Sequence, residues 1–327
     1  MIALNVGCGG AMNWIQTKTN LLQTFPVDGR YLIGVSGGRD SVTLLHSLSD
    51  IGFKNLVVCH LNHQLRGRSS NTDARFVERL AAKYDLEAEI RSTNVRALVS
   101  KRKMSIETGG REARYRFFAQ VAKRRRCRTI FLGHHADDLV ETFLINLFRG
   151  AGTAGLSGMR EVSTRRIDDV DLTIVRPLLG VWRTEIDNYV RKHRLDFRED
   201  ATNKNLAPMR NRIRHRIIPY LEKILGRNVR LTIWRAAMIA SEEEDWIDSQ
   251  VPNSTDADLS VARLRAFSLA LQRRAILKWL RAQNISGVGF DIIEKVRSLL
   301  EPAARVAKIN LAQNRHARRR SGRIFVE

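Results

Sequence analysis

The sequence predicts an α/β protein in which a parallel sheet comes first, a helical segment follows and a small α+β domain ends the chain. The sheet is predicted because, from about residue 29, short apolar runs alternate with amphipathic helical stretches. Three of these runs end in polar loops, and such loops bind ligands in open parallel sheets. With 327 residues, 43% of them hydrophobic, the chain can bury several cores.

Each predicted element rests on a local pattern. Apolar runs predict strands at 31–35, 55–60, 86–90 and 129–133. Amphipathic stretches predict helices at 41–50, 72–84, 107–125 and 137–149. The charged and apolar stretch 165–179 predicts a strand or hairpin that closes the domain.

The second half of the chain predicts helices and then a basic ribbon. Helical patterns occupy 182–194 and 208–250, and Pro219 and Gly226 interrupt the second. The polar stretch 249–260 predicts a linker. Beyond it we expect helices at 261–283 and 291–300 and a two-stranded ribbon at 307–327. The predicted domains are an N-terminal extension with a helix (1–28), the sheet domain (29–205), the helical segment (206–255) and the C-terminal domain (256–327).

The first predicted strand breaks abruptly into the loop SGGRDS, residues 36–41. Adjacent glycines let an anion approach the backbone, and the helix that follows points its positive N-terminus at that anion. This pattern predicts a nucleotide phosphate site without the lysine of the commoner phosphate loop. The alternative is an ordinary turn in which Asp40 or Ser41 caps the helix.

Two further loops should meet SGGRDS at the same edge of the sheet: HLNHQLRG at 60–67 and GHHADD at 133–138. His60 and His63, beside Cys59, have metal-like spacing. However, neighbouring strand residues point to opposite faces, so a ligand-facing strand end is the better interpretation.

GHHADDLVET, at 133–142, gathers carboxylates at the end of a predicted strand. These are the hard oxygen ligands that a Mg²⁺ ion bridging ATP oxygens needs, and they fit magnesium better than zinc. The alternative is a capped helix, because Asp138-x-x-Glu141 also resembles a capping box.

A formal net charge of +22 points to a polyanionic partner, most simply nucleic acid. Arg111 and Arg114 lie on neighbouring turns of the helix predicted at 107–125, where an arginine could neutralise a leaving pyrophosphate. Other arginines surround the apolar stripe of 199–225 and suit contacts with RNA phosphates. They are Arg210, Arg212, Arg214 and Arg216. For Arg111 and Arg114 the alternative is an exposed basic face.

Cysteine usage and the N-terminus bear on the compartment. The three cysteines, Cys8, Cys59 and Cys127, are far apart, which argues against a disulfide framework, an iron–sulfur cluster or a redox pair. The first residues show no signal-peptide pattern, and no window is long and apolar enough for a membrane span. We therefore expect a cytoplasmic protein without membrane contact.

SGGRDS resembles the pyrophosphate-loop (PP-loop) signature of N-type ATP pyrophosphatases. An ordered set of motifs extends that likeness over about residues 29–220: SGGRDS, HLNHQLRG, E-x-x-x-R-x-x-RY-x-FF at 107–118, GHHADDLVET, RGAGTAGLSGM, RPLL, EDATN and RNRIRH. Together they resemble the bacterial tRNA(Ile)-lysidine synthetases. Arg39 occupies the variable position of the signature, and Gly109-Gly110 stands where a helix-favouring alanine is commoner.

The resemblance implies a Rossmann-like, adenine nucleotide alpha hydrolase-like fold. It implies ligation of free L-lysine to C2 of the wobble cytidine of a CAU-anticodon isoleucine tRNA. The cytidine O2 would attack the α-phosphate of ATP, and the lysine ε-amine would then attack C2 and expel AMP. ATP and Mg²⁺ are the implied cofactors, and a homodimer is a further expectation.

The resemblance also implies roles for individual residues. ATP would contact Ser36, Gly37, Gly38, Arg39, Asp40, Ser41 and His60. Catalysis would involve Asp40, His134, Asp137 and Asp138, with Asp40 and Asp137 as magnesium ligands. Phosphate or tRNA would contact Arg111, Arg114, Arg210, Arg212 and Arg214.

Two other functions stay open at this point. A tRNA thiolase of the same superfamily would usually need a cysteine pair or an iron–sulfur site, and Cys59 and Cys127 lack that spacing. A noncatalytic RNA-binding protein would explain the charge, but not the acidic residues at converging strand ends.

Overall fold

A computed structural model describes residues 21–65, 68–198, 209–252, 257–302 and 308–327. Most of the predicted N-terminal extension and the EDATN motif at 199–203 lie outside these residues. The chain divides into two compact units, one of Met1–Thr142 with Met159–Arg230 and the other of Phe143–Gly158 with Leu231–Glu327. The domain boundaries drawn from the sequence stay predictions.

The first unit contains a six-stranded sheet in the order β3-β2-β1-β4-β6-β5. Its strands are β1 (Tyr31–Gly34), β2 (Leu56–Asn62), β3 (Glu87–Ser92), β4 (Thr129–Leu132), β5 (Val162–Ile167) and β6 (Val170–Val175). All neighbours pair in parallel except β5 and β6, which form an antiparallel hairpin at one edge. The parallel sheet and the closing hairpin expected from the sequence are therefore confirmed.

After β1, the described chain contains seven helices up to residue 198. They are α1 (Arg39–Asp50), α2 (Arg68–Lys83), α3 (Val95–Arg102), α4 (Ile106–Arg125), α5 (Ala136–Phe148), α6 (Thr153–Leu156) and α7 (Arg183–His193). The five helices expected in this region are present within about one turn of their predicted ends. The short helices α3 and α6 were not predicted.

Strand periodicity divides the core of this unit into two layers. Leu32 and Ile33 are adjacent in β1 and fully buried, but they point to opposite faces of the sheet. Ile33 packs in a cluster with residues of α1, α2 and α7, whereas Leu32 packs with residues of α3 and α4. Helices therefore cover both faces, so the edge at the carboxyl ends of the strands is left for a ligand.

Close packing against α3 explains why a glycine occupies position 109 of α4. A Cβ atom there would lie 2.5 Å from Cγ2 of Val99 in α3, closer than any real contact. Ser105 caps the helix through a hydrogen bond from the Thr108 N–H to its Oγ. The helix therefore starts where the sequence predicts, despite two glycines in its first turns.

The helical stretch predicted over 208–250 is interrupted at only one of the two positions that the sequence indicated. It contains α8 (Met209–Arg212), a π-helical turn (Ile213–Ile217), α9 (Ile218–Leu225) and α10 (Val229–Gln250). Pro219 does not end the helical stretch, because it lies in the first turn of α9, where the missing N–H of proline is tolerated. The break at Gly226 is confirmed, and this glycine has a left-handed φ of +60°.

The C-terminal part of the second unit is a small α+β domain. Its helices are α11 (Val261–Arg265), α12 (Leu269–Ala282) and α13 (Phe290–Ser298), and its strands are β7 (Asp258–Ser260), β8 (Lys308–Asn310), β9 (His316–Arg320) and β10 (Arg323–Val326). The strands form an antiparallel sheet in the order β7-β10-β9-β8. Trp279, Ile276 and Ile324 are buried in its core.

Three predictions for this region were wrong in detail. The ribbon has four strands rather than two, because β7 and β8 extend the β9–β10 hairpin. Residues 249–260 are not a simple linker, since α10 runs to Gln250 and β7 begins at Asp258. The helix expected over 261–283 is two helices, and α12 begins after Ser268. In the described parts of the chain, no helix combines the length and the apolar character needed to cross a membrane.

Candidate active site

The SGGRDS loop connects β1 to the N-terminus of α1 and is held closed by its own two serines. The Ser41 hydroxyl donates to the Gly38 carbonyl at 2.8 Å and accepts from the Ser36 amide at 3.1 Å. Gly37 has a φ of +86°, a left-handed conformation that other residues rarely adopt. The first amides of α1 have no partner within the helix, which is the arrangement that favours an anion at a helix N-terminus.

A cavity of about 560 Å³ opens beside this loop, large enough for a nucleotide. Its walls come from the ends of β1, β2 and β4, from α2 and α4, from Arg198 and from Arg210 in α8. The three predicted loops therefore converge. At Gly133, after β4, a Cβ atom would lie 2.9 Å from the Asp40 carbonyl oxygen, so glycine permits the close approach of this loop to the phosphate loop.

Most of the residues proposed from the sequence line this cavity, but not all. Those that do are Ser36, Gly38, Asp40, Ser41, His60, Arg111, Arg114, His134, Asp138 and Arg210. Those that do not are Gly37, Arg39, Asp137, Arg212 and Arg214. Arg212 is exposed, whereas Asp137 and Arg214 lie behind the cavity wall in contacts described below.

His135, which the sequence did not single out from its neighbour, lies at the centre of three aspartates. Its Nε2 is 3.7 Å from Oδ2 of Asp40 and 3.6 Å from Oδ2 of Asp138, and its Nδ1 is 3.6 Å from Oδ2 of Asp137. Burial alone lowers the pKa of His135, but Asp138, Asp137 and Asp40 outweigh it and raise the pKa to about 9. His135 is therefore a buried cation at neutral pH that holds the carboxylates together.

The aspartates around His135 differ in their environments. Burial raises the pKa of Asp40 despite the nearby cations. For Asp138, burial is outweighed by His135, His134 and Arg210, which lower the pKa to about 2. The Asp138 carboxylate also accepts the amide of His135 at 3.1 Å. The pKa values of two carboxyl groups on one cavity wall are thus shifted in opposite directions: that of Asp40 is raised and that of Asp138 is lowered. Such opposite shifts are common at catalytic centres.

Asp40 has the free oxygen that a magnesium ion needs. Its Oδ1 is buried and has no hydrogen-bond partner among the described residues. By contrast, Asp137 accepts the Arg183 amide at 3.0 Å and lies 3.5 Å from Arg230. Within the described ranges no group of three or more His, Cys, Asp or Glu side chains forms a metal cage. The site still fits Mg²⁺, which proteins usually hold through one or two carboxylates and the substrate phosphates.

Arginines from the helical segment reach the same wall. Arg214 makes a paired contact with Glu141, which is only 1% exposed, and its Nη2 lies 3.4 Å from Oδ1 of Asp138. Arg210 donates to the Thr142 hydroxyl at 2.7 Å. The basic face predicted for RNA contacts is therefore divided: Arg210 and Arg214 face the acidic cluster, and Arg212 faces solvent.

Three histidines of the cavity are neutral at physiological pH. Burial lowers the pKa of His134 to about 3, and burial with Arg114 and His60 lowers that of His63 to about 4. Burial also lowers the pKa of His60, whose Nδ1 lies 2.8 Å from the Val35 carbonyl. In a neutral ring that contact requires the proton on Nδ1, so His60 Nε2 is an acceptor.

Other cavity residues were missed by the sequence reasoning. Asn62 and Arg198 line the cavity, and Asn62 is buried at the end of β2. Asn62 lies within the HLNH motif, so its place at a strand end was a usable signal. Arg198 gave no such signal, because it lies in an irregular segment that is distant in sequence from the loop it contacts.

Comparisons with known proteins bear on the family and the fold of this chain. A family model described as a PP-loop domain matches residues 12–221, and one described as a TilS substrate binding domain matches residues 259–325. The solved structure of the U34-tRNA thiolase NcsA from Methanococcus maripaludis, determined with its [4Fe-4S] cluster, has a TM-score of 0.55 at 19% identity. It covers 71% of this chain and 80% of its own, so it shows a shared fold.

Curated relatives are more similar in sequence. The tRNA(Ile)-lysidine synthase of Geobacter sulfurreducens is 39% identical over 83% of this chain, and that of Chlorobaculum tepidum is 33% identical over 84%. The chain spans 59% of the length of the first protein and 83% of the second. With a PP-loop model over most of its length and relatives of this identity, the chain belongs to the tRNA(Ile)-lysidine synthase family of PP-loop proteins.

Proposed function

We propose that this protein ligates L-lysine to C2 of the wobble cytidine of an isoleucine tRNA with a CAU anticodon, and that it consumes ATP and releases AMP and pyrophosphate. One observation carries the proposal: a nucleotide-sized cavity joins the phosphate loop to a buried His135–aspartate cluster. The relatives named tRNA(Ile)-lysidine synthase supply the substrate class.

The first half-reaction needs a bound triphosphate and an oxygen nucleophile. The loop amides and the serines at 36 and 41 bind the phosphates, and Arg111 and Arg114 on α4 provide cations at the cavity wall. The cytidine O2 attacks the α-phosphorus, the bond to the β-phosphate oxygen breaks, and pyrophosphate leaves. A Mg²⁺ ion held by Asp40 and the phosphates would supply charge neutralisation for that leaving group.

The second half-reaction needs a neutral amine. The ε-amine of lysine attacks C2, the bond from C2 to the adenylate oxygen breaks, and AMP leaves with both electrons of that bond. Asp138, anionic and on the cavity wall, can attract the lysine ammonium group. His134, neutral and on the same wall, can accept a hydrogen bond from the amine. Its low pKa makes it a weak base, so the proton of the ammonium group and the proton that the nitrogen loses on attack pass to solvent.

The proposed binding of tRNA is supported by the positive charge of the protein. The net charge of +22 suits a polyanion, and β9 in the C-terminal domain presents several arginines in one short strand. That domain coincides with the matched substrate binding domain. A cytoplasmic location and a homodimer stay predictions from the sequence.

The thiolase alternative is less well supported. Cys59 is buried, and its burial raises the pKa of the thiol, which makes a reactive thiolate unfavourable. Cys127 is also buried, and it does not line the cavity. The described cysteines therefore do not form a sulfur-transfer site.

The test is incorporation of labelled lysine into a CAU isoleucine tRNA transcript with ATP and Mg²⁺. We expect equal amounts of AMP and pyrophosphate, and no labelling of a methionine tRNA with the same anticodon.

Asp40→Asn should reduce the rate of lysine incorporation by roughly a hundredfold or more without loss of tRNA binding. Asp171→Asn is the matched control, because that exposed aspartate pairs with Arg166 on the edge hairpin. Absence of incorporation by folded wild-type protein would refute the proposal.

A further inference from the structure

Arg39 belongs to the phosphate loop, but it does not line the cavity. Its Nη1 pairs with Oδ1 of Asp187 in α7, and its guanidinium lies 4.9 Å from the centre of the Phe197 ring. Both members of the ion pair are partly buried, at 22% and 35% side-chain exposure. Arg39 is the first residue of α1, so this contact fixes the end of the helix that faces the phosphates.

A second contact joins the loop to the same stretch of chain. The Gly37 carbonyl accepts a hydrogen bond from the Arg198 amide at 2.9 Å. Gly37 is the left-handed residue of the loop. Phe197, which precedes Arg198 in the chain, is the ring that Arg39 lies over. The Arg198 guanidinium is in turn held by Asp73, with Nε 3.1 Å from Oδ1. Phe197 and Arg198 therefore hold the loop through the Arg39 side chain and through the Gly37 backbone.

The stretch that holds the loop also contacts the acidic cluster. Helix α7 begins at Arg183, whose amide donates to Oδ2 of Asp137 at 3.0 Å. One turn later the same helix presents Asp187 to Arg39. Farther along, the Tyr189 hydroxyl lies 2.8 Å from Nδ1 of His46 in α1. A single continuous stretch, 183–198, thus fixes the distance between the phosphate loop and the carboxylates.

We propose that Arg39 is a positioning residue that pre-organises the phosphate loop through Asp187 and Phe197, and that it does not contact the nucleotide phosphates itself. A loop with two adjacent glycines loses much conformational freedom when it binds an anion. Holding it in the bound shape beforehand lowers that cost and strengthens nucleotide binding. This inference rests on ATP binding at the loop, as in the proposed function.

The test measures binding of α,β-methylene-ATP with Mg²⁺ by titration calorimetry, which requires neither tRNA nor lysine. Arg39→Met and Asp187→Asn should each weaken binding by about five- to twentyfold, and the double variant should be no weaker than either single one. Arg39→Lys should recover part of the loss because it keeps the charge. The control is Arg30→Met, since Arg30 pairs with Glu87 at 2.6 Å near the start of the strands. That exposed pair should change binding by less than about twofold.

Two results would overturn the inference. If Arg39→Met weakens binding while Asp187→Asn leaves it unchanged or tightens it, Arg39 itself contacts the phosphates. If both variants weaken tRNA binding as much as nucleotide binding, the contact only stabilises the fold. Wild-type protein that binds the analogue with the expected variant effects, yet ligates no lysine, would support this inference and refute the proposed function.

Discussion

Arg214 donates two hydrogen bonds to the buried carboxylate of Glu141, from Nε to Oε1 at 2.5 Å and from Nη2 to Oε2 at 3.0 Å. The π-helical turn at Ile213–Ile217 carries this arginine, and α5 carries the glutamate. Paired geometry of this kind is the strongest form of arginine–carboxylate contact. It joins the helical segment to the helix that bears Asp137 and Asp138.

Removing one partner of this pair should be costly. Arg214→Met leaves the Glu141 charge buried without its main partner, so we expect a loss of about 3–5 kcal/mol in the free energy of unfolding, measured by urea denaturation. Replacing both partners, as in Arg214→Met with Glu141→Leu, should recover most of that loss. Arg216→Met, an exposed change on the same turn, should stay within about 0.5 kcal/mol of wild type. A double variant no more stable than the single one would argue against a charge effect.

The charge of His135 should make stability depend on pH in a defined window. Its pKa is about 9 in the folded protein and about 6.5 in an unfolded chain. Because the folded pKa is the higher one, the stabilisation is fully present below pH 6.5 and is lost as the pH rises through 9. We expect on the order of 2–3 kcal/mol to disappear over this range.

The measurement compares urea unfolding of wild type and His135→Gln at pH 6, 7.5 and 9.5. The difference in unfolding free energy between the two proteins should be largest at pH 6 and should shrink as the pH rises. A difference that stays constant would mean that His135 is neutral and acts only through packing.

Gly109 and Gly110 provide a matched pair of substitutions in one helix. A Cβ at Gly109 would lie 2.5 Å from Val99, whereas one at Gly110 would meet His63 at 3.8 Å, an ordinary contact. Gly109→Ala should therefore destabilise by about 1–3 kcal/mol, and Gly110→Ala should stabilise by about 0.5–1 kcal/mol through helix propensity. Thermal unfolding of both variants checks this. Equal effects would contradict the close approach of α3 and α4.

The sheet and its loops could be predicted because their signals are local. Strand periodicity, glycine turns and polar strand ends locate the phosphate loop and GHHADD at one edge, where the cavity is found. The roles of His134 and His135 could not be separated in this way. They are adjacent and chemically identical, and the tertiary placement of Asp138, Asp137 and Asp40 around His135 makes it the charged one.

Long-range contacts account for most of the remaining errors. Arg39 belongs to the loop motif, but its partners Asp187 and Phe197 are about 150 residues away in sequence. Pro219 was expected to break the helix. The sequence pattern gave no sign that a π-helical turn ends just before this proline and leaves it in the first turn of α9, where proline is tolerated. Likewise β7 is too short for a strand pattern, and pairing with β10 defines it.

The arginines of β9 should differ in function because alternate residues of a strand face opposite sides. Arg319 lies on the side of the buried Ala317 and donates to the carbonyls of Leu299 and Glu301 at 2.9 and 2.8 Å. Arg320 is exposed on the opposite side.

Arg320→Ala should therefore weaken tRNA binding and reduce the slope of log affinity against log salt by about one, with thermal stability unchanged. Arg319→Ala should lower the melting temperature instead, because two carbonyls lose their donor. Binding titrations between 50 and 200 mM salt, roughly the range in which phosphate contacts are most evident, distinguish the two variants. A salt slope that changes equally in both would mean that the strand does not divide its arginines in this way.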